Sequence, residues 1–138
     1  MSWEVKTPVY GDHIRINRGF YYHHGIFAAN ECVIHFASNE IGHETDPNYA
    51  IICITDLDSF SRGNAVEVRS FSEEEKECKR TPQEIVNYAF TRLGEKGYDL
   101  INNNCEHFSN ECVFGIAQST QVENIKNIFK NIFRQEDY

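Results

Sequence analysis

Cys105 directly follows Asn104, a residue type that caps helices well. The pattern beyond it predicts a helix from Cys105 to Phe114, stopped at Gly115. A cysteine in the first helical turn meets unpaired backbone N–H groups and the positive end of the helix dipole, and both favour a thiolate. A free thiol has a pKa near ~8.5, and such a position with an imidazole nearby lowers it by several units. This is the setting of a nucleophile. The competing reading is that Cys105 is a small buried residue, the common fate of a free cysteine. Cys112, Cys32 and Cys53 read as core, and Cys78, within a charge run, as exposed.

A nucleophilic thiol needs a base, and five of the six histidines come early in the chain, at 13, 23, 24, 35 and 43. His23-His24 and His35 fall on two stretches that read as a hairpin. Two imidazoles on adjacent strands facing a helix N-terminus would complete a Cys-His-His arrangement, one taking the thiol proton and the other fixing the first in its tautomer. Neighbouring strand residues face opposite sides, so only one of His23 and His24 shares the face of His35. A two-residue turn at Asn30-Glu31 sets His35 opposite Ile26, on the face of His24. A three-residue turn from Ala29 sets it opposite Gly25, on the face of His23. Parity alone leaves both open. A metal site is a competing use of the same residues, but no Cys-x-x-Cys or His-x-x-x-His spacing occurs, and zinc sites usually carry such spacing.

The elements that must position these groups follow from patterning. His13 to Asn17 alternates, with Ile14 and Ile16 on one face; Tyr22 to Ala28 and Cys32 to Ala37 read as two further strands. Tyr49 to Thr55 and Ala65 to Phe71 add two more, separated by a loop over Asp56 to Asn64. Residues 39–48 read as a loop. Ser72 to Arg80 reads as a solvated, charged connection. Thr81-Pro82-Gln83-Glu84 then opens a helix with a capping box and an N-terminal proline. Its expected buried stripe is Ile85, Ala89 and Leu93 with Val86 and Phe90, and Gly94 ends it. Residues 98–101 read as short and extended. Strands precede helices, so the fold class is α+β.

Composition restricts the function classes. The 138 residues are 41% hydrophobic and 25% charged, which fits one globular domain. A net charge of −8 argues against nucleic acid as partner, since phosphate binding needs a cationic surface. No apolar run reaches the ~20 residues of a membrane span. The first residues show no apolar h-region, so no secretory signal is expected. With five cysteines, an odd count, reduced thiols in a cytoplasmic setting are the expectation.

Taken together, these segments resemble a known family. Tyr10-Gly11-Asp12-His13-Ile14, Arg18-Gly19-Phe20-Tyr21-Tyr22-His23-His24-Gly25-Ile26-Phe27 and Val33-Ile34-His35-Phe36-Ala37 resemble the His box of the lecithin:retinol acyltransferase-like family. Asn104-Cys105-Glu106-His107-Phe108 is similar, residue for residue, to that family's cysteine motif, and Phe114 to Val122 resembles its small phospholipase A/acyltransferase branch. The resemblance covers roughly residues 8–123. It implies an antiparallel sheet packed against helices in a circularly permuted NlpC-type papain-like fold. It also implies His23 as base, His35 as second imidazole and Cys105 as nucleophile, with no metal or cofactor. That assignment requires an odd-length turn or a bulge near Ala29. The implied reaction is acyl transfer from a glycerophospholipid ester through a thioester. A cysteine peptidase or amidase of the same fold, and a non-enzymatic interaction module, are the alternatives. Two departures stand out: His24 where the small phospholipases commonly have an aromatic residue, and Ala28-Ala29 in place of a glycine-bearing turn.

The catalytic domain is expected over residues 1–119, followed by an amphipathic segment at 120–138. There Val122, Ile125, Ile128, Phe129, Ile132 and Phe133 form an apolar stripe beside Lys126, Lys130 and Arg134. Such a helix packs on the domain, on a second copy, or on a bilayer interface that it cannot span. Peripheral membrane contact through 120–134 is one expected outcome.

Overall fold

The computed structural model describes residues 2–37, 50–97 and 104–115. The expected loop at 39–48, the extended stretch at 98–101 and the amphipathic segment at 120–138 lie outside the described residues. Six strands form one antiparallel sheet in the order β1-β6-β2-β3-β4-β5. They are β1 Ser2–Val5, β2 His13–Asn17, β3 Tyr22–Ala29, β4 Cys32–Ala37, β5 Ile51–Thr55 and β6 Glu67–Ser70. Four helices are interspersed: α1 Leu57–Ser61, α2 Glu73–Cys78, α3 Pro82–Thr91 and α4 Cys105–Phe114.

The sheet is buried on both faces, as its period-two pattern requires. On one face Ile26, Ile34, Phe36 and Ile52 pack against α3 and α4 through Ile85, Phe108 and Val113. On the other, Ile14, Ile16, Phe27, Val33 and Val68 surround Phe60 of α1. Glycine at 25 permits this close fit. A Cβ there would lie 2.9 Å from the Phe60 ring and 3.3 Å from Cβ of His35.

Several expectations are corrected. The Asp56–Asn64 segment contains α1, because the Asp56 carboxylate accepts from Ser59 N–H at 2.7 Å and caps it. The charge run Ser72–Arg80 contains α2, started by a full capping box between Ser72 and Glu75. Glu75 is buried and takes a 2.9 Å hydrogen bond from Arg69, so this stretch is not merely solvated. Cys78 is half-buried against the α3–α4 core, and Cys32 and Cys53 are half-buried too. In α3 only Ile85, Val86 and Ala89 are buried; Phe90 and Leu93 are exposed, since the sheet meets a narrower stripe than the spacing allows. The α3 capping box at Thr81 and Glu84 and the bounds of α4 are as expected.

Replacing Glu75 by Ala leaves the Arg69 guanidinium buried without its carboxylate. Loss of one partner of a buried pair costs about 3–5 kcal/mol. Urea denaturation of Glu75→Ala is expected to show a drop of that order; a loss under about 0.5 kcal/mol, usual for surface sites, would mean that α2 contributes no buried pairing.

Candidate active site

The sheet separates the two neighbouring histidines. β3 pairs with β4 as Ile26–Ile34 and Phe27–Val33, then shifts to Ala29–Cys32, so a bulge lies between Phe27 and Ala29. The bulge shifts the register by one residue and sets His35 level with Gly25, on the face of His23. His24 points to the opposite face, toward α4.

His23 and His35 meet under Phe60, their ring centroids 5.3 Å and 4.9 Å from its own. The ring nitrogens Nε2 of His23 and Nδ1 of His35 are 2.8 Å apart, and Nε2 of His35 is 2.8 Å from Thr55 Oγ1. The Thr55 hydroxyl donates to the Asp56 carbonyl at 3.2 Å, so its oxygen accepts from His35. His35 therefore carries its proton on Nε2 and accepts through Nδ1. His23 must then donate from Nε2, which leaves its Nδ1 as a bare acceptor. That nitrogen is buried and has no hydrogen-bond partner among the described residues.

On the other face a second chain runs the opposite way. Arg69 Nη1 is 3.2 Å from His13 Nδ1, and His13 Nε2 is 2.8 Å from His24 Nδ1. A guanidinium only donates, so His13 accepts at Nδ1 and donates from Nε2. His24 therefore accepts at Nδ1 and carries its proton on Nε2, which lies 3.4 Å from Glu106 Oε2. His24 is hydrogen-bonded at Nδ1 and its Nε2 stands 3.4 Å from the Glu106 carboxylate, whereas Nδ1 of His23 is open.

Cys105 sits where the β3–β4 ladder has opened. Phe27 exchanges backbone hydrogen bonds with Gly11 and Asp12, and Tyr21 C=O accepts from Arg18. Odd-numbered residues of β3 thus face the β2 side, and by alternation Tyr22 C=O and His24 N–H face the β4 side. At that place Sγ accepts from His24 N–H at 3.4 Å and lies 3.9 Å from Tyr22 O. The sulfur brackets the backbone of His23, and no hydrogen bond joins it to the His23 ring. Asn104 caps α4 through the N–H groups of Glu106 and His107.

The helix start does not yield a resting thiolate, contrary to the expectation of a lowered pKa. Burial pushes the Cys105 thiol up to about 11. The N–H groups of His24, Cys105 and Glu106 oppose this, and the Glu106 carboxylate adds to it. Burial likewise holds His23 well below the ordinary 6.5, with His35, Arg18, His24 and Arg62 adding to the effect. His13 is lowered in the same way, and His24 falls to about 3, by burial first and then Arg15 and Arg69. The thiol and the imidazoles of His13, His23 and His24 are thus held neutral. Trp3, in the unforeseen strand β1, stands edge-on to His13 and His24 at 5.0 and 5.5 Å. His13, Arg69 and Trp3 were missed as site residues. Only the alternation of β2, which sets His13 on the face opposite Ile14, hinted at the first of them.

A family model described as lecithin retinol acyltransferase matches residues 6–118. The chain belongs to the lecithin retinol acyltransferase family. It is 24% identical over 153 residues to Mus musculus lecithin retinol acyltransferase, covering 97% of this chain and 66% of that protein. It is 26% identical over 133 residues to Homo sapiens phospholipase A and acyltransferase 3, covering 91% of this chain and 82% of the relative. With Homo sapiens phospholipase A and acyltransferase 5 the identity is 31% over 129 residues, 84% of this chain and 44% of the relative. The chain thus spans just under two thirds of the lecithin retinol acyltransferase it matches. No helix among the described residues is long and apolar enough to cross a membrane, and no cluster of metal ligands occurs among them.

His13, His23 and His24 each bind a proton more readily unfolded than folded. Their contribution to stability is whole above pH 6.5 and is lost as pH falls below it, each imidazole adding a slope of up to about 1.4 kcal/mol per pH unit. The melting temperature is expected to drop between pH 7 and pH 5, and less steeply in His24→Phe. Equal slopes for the two proteins would show that His24 is not buried neutral.

Proposed function

We propose that this chain is a thiol-dependent acyltransferase or phospholipase A acting on acyl esters of glycerophospholipids through a Cys105 thioester. The observation that carries this reading is the hydrogen bonding of the His23 ring, which fits the tautomer protonated on Nε2. Its Nδ1 is an open acceptor beside the backbone that holds Sγ. His35, backed by Thr55 and the Asp56 carbonyl, fixes that tautomer and would stabilise the imidazolium formed on proton uptake.

The reaction starts from a neutral pair. As Sγ attacks the ester carbonyl, His23 Nδ1 takes the thiol proton. The S–C bond forms and the carbonyl oxygen becomes an oxyanion. The N–H groups of His24, Cys105 and Glu106 lie beside the sulfur and are the donors at hand for it. Collapse breaks the C–O bond, and the departing lysophospholipid alkoxide takes the proton back from His23. The thioester then passes its acyl group to water, giving a fatty acid, or to an amine or hydroxyl, giving an acylated acceptor. His23 removes the acceptor's proton and returns it to the sulfur. No step needs a metal or a cofactor. The names of the relatives support the lipid ester as donor. The permuted NlpC-type layout and peripheral membrane contact through 120–134 belong to the same proposal.

Incubation with a phospholipid should give an acyl adduct on Cys105, seen by mass spectrometry after proteolysis, and none in Cys105→Ala. An adduct on Cys112 or Cys53 instead would refute the assignment. Turnover by His23→Ala is expected to fall about 10²–10⁴-fold, the usual loss with a general base, and His24→Ala by far less. Equal losses would reverse the roles of the two histidines.

A further inference from the structure

The chain of hydrogen bonds on the α4 face is not used in the reaction above, yet it is the more heavily built of the two. Arg69 is buried on β6. It gives Nη2 to Glu75 Oε2 at 2.9 Å, and Nη1 to Asn110 Oδ1 at 2.7 Å as well as to His13. The guanidinium is thereby clamped from α2 and from α4. It forces the proton of His13 onto Nε2, and this in turn forces the proton of His24 onto Nε2. The N–H at the end of the chain faces Glu106, the residue next to Cys105. Trp3 covers both rings, and Arg15 stacks over Trp3 at 4.2 Å and over Tyr22 at 3.8 Å.

Among the described residues, Glu106 is the group beside Cys105 whose charge opposes a thiolate there. Where its carboxylate sits therefore matters to the nucleophile. A carboxylate left to choose would turn to the N–H groups at the start of α4, since helix N-termini attract anions. The donor on His24 gives it another partner, on β3.

We propose that His24 is a positioning residue: the directed chain Arg69→His13→His24 holds the Glu106 carboxylate, and with it the first turn of α4, in place beside the nucleophile. The groups facing His24 are His13 and Arg15 from β2, Arg69 from β6 and Glu106 from α4. None of them contacts the substrate in this assignment. The inference rests on Cys105 being the nucleophile, but its test reads the thiol and not lipid turnover.

The test is the pH profile of Cys105 alkylation by iodoacetamide in the intact chain, followed on the Cys105 peptide by mass spectrometry. His24→Phe keeps an aromatic ring against Trp3 and removes both nitrogens. Its apparent thiol pKa is expected to rise by about one unit, the scale of one nearby charge. His24→Gln offers an amide oxygen to His13 and an amide N–H to Glu106, and should restore the wild-type profile. Glu106→Gln should lower the pKa, and should cancel the rise when combined with His24→Phe. On a soluble short-chain ester, His24→Phe should lose about tenfold in kcat with little change in KM. Coincident profiles for wild type and His24→Phe overturn the proposal, as does His24→Gln behaving like His24→Phe. Glu106→Gln has a part-exposed side chain and decides the matter even if His24→Phe does not fold: an unchanged profile refutes the role of the carboxylate. Loss of the Cys105→Ala phenotype would instead strike the proposed function and leave these profiles intact.

Discussion

The backbone hydrogen bond from His24 N–H to the sulfur of Cys105 ties the first turn of α4 to the sheet. Toward its Tyr22 end β3 presents a donor and an acceptor to the β4 side, and the sulfur of α4 takes the place of a strand. Sheet edges usually leave such groups to water or to another chain. Here the first turn of α4 closes the opening, and the rest of the helix follows it down onto Phe36 and Ile34 through Phe108. Placement of the thiol and burial of the helix are thus one event. Arg92 at the end of α3 completes the docking by pairing with Glu111 of α4.

The polarity of the two imidazole pairs follows from what stands behind each. Behind His35 is an acceptor, the Asp56 carbonyl reached through Thr55, and the protons of that chain all point away from His23 Nδ1. Behind His13 is a permanent donor, Arg69, and the protons of that chain all point toward Glu106. Two pairs of the same residue type thus end in a base on one face and a donor on the other. Burial keeps His13, His23 and His24 neutral, and it keeps the thiol neutral as well. An ion pair of thiolate and imidazolium in this dry position would bear the desolvation cost of two charges. A proton that moves only as the S–C bond forms avoids that resting cost.

Much of this was legible in the residues. The cap at Asn104, the bounds of α4, strands β2 to β4 and the α3 capping box follow from patterns a few residues long. Helices α1 and α2 carried their own signals, Asp56 three before Ser59 and Ser72 three before Glu75. Both were obscured, the first by the turn residues Arg62-Gly63-Asn64 and the second by a run of charges. Strand β1 has no clean alternation, and it forms because β6 offers an edge. The direction of the thiol's pKa was not legible, since it depends on how deeply the helix start is buried, and sequence spacing carries no depth. Nor was the part of His13 and Arg69, which meet across 56 positions.

The bulge between Phe27 and Ala29 deserves the same standing as the imidazoles. The turn end of the hairpin pairs Ala29 with Cys32, a register that continued without interruption would set His35 opposite Ile26. That is the face of His24 and of α4. His23 would then face Phe60 with nothing to fix its tautomer, and His35 would crowd the core beneath Phe108. One extra residue in β3 moves His35 across the sheet and gives His23 its partner. Because strand side chains alternate with period two, no change of side chain alone could do this. Which imidazole keeps an open acceptor is therefore set by backbone register, several residues away from either histidine: with Ala28 present, a ladder without the bulge would turn His35 to the face of His24, whereas deletion of Ala28 would remove the extra residue and leave His35 opposite Gly25.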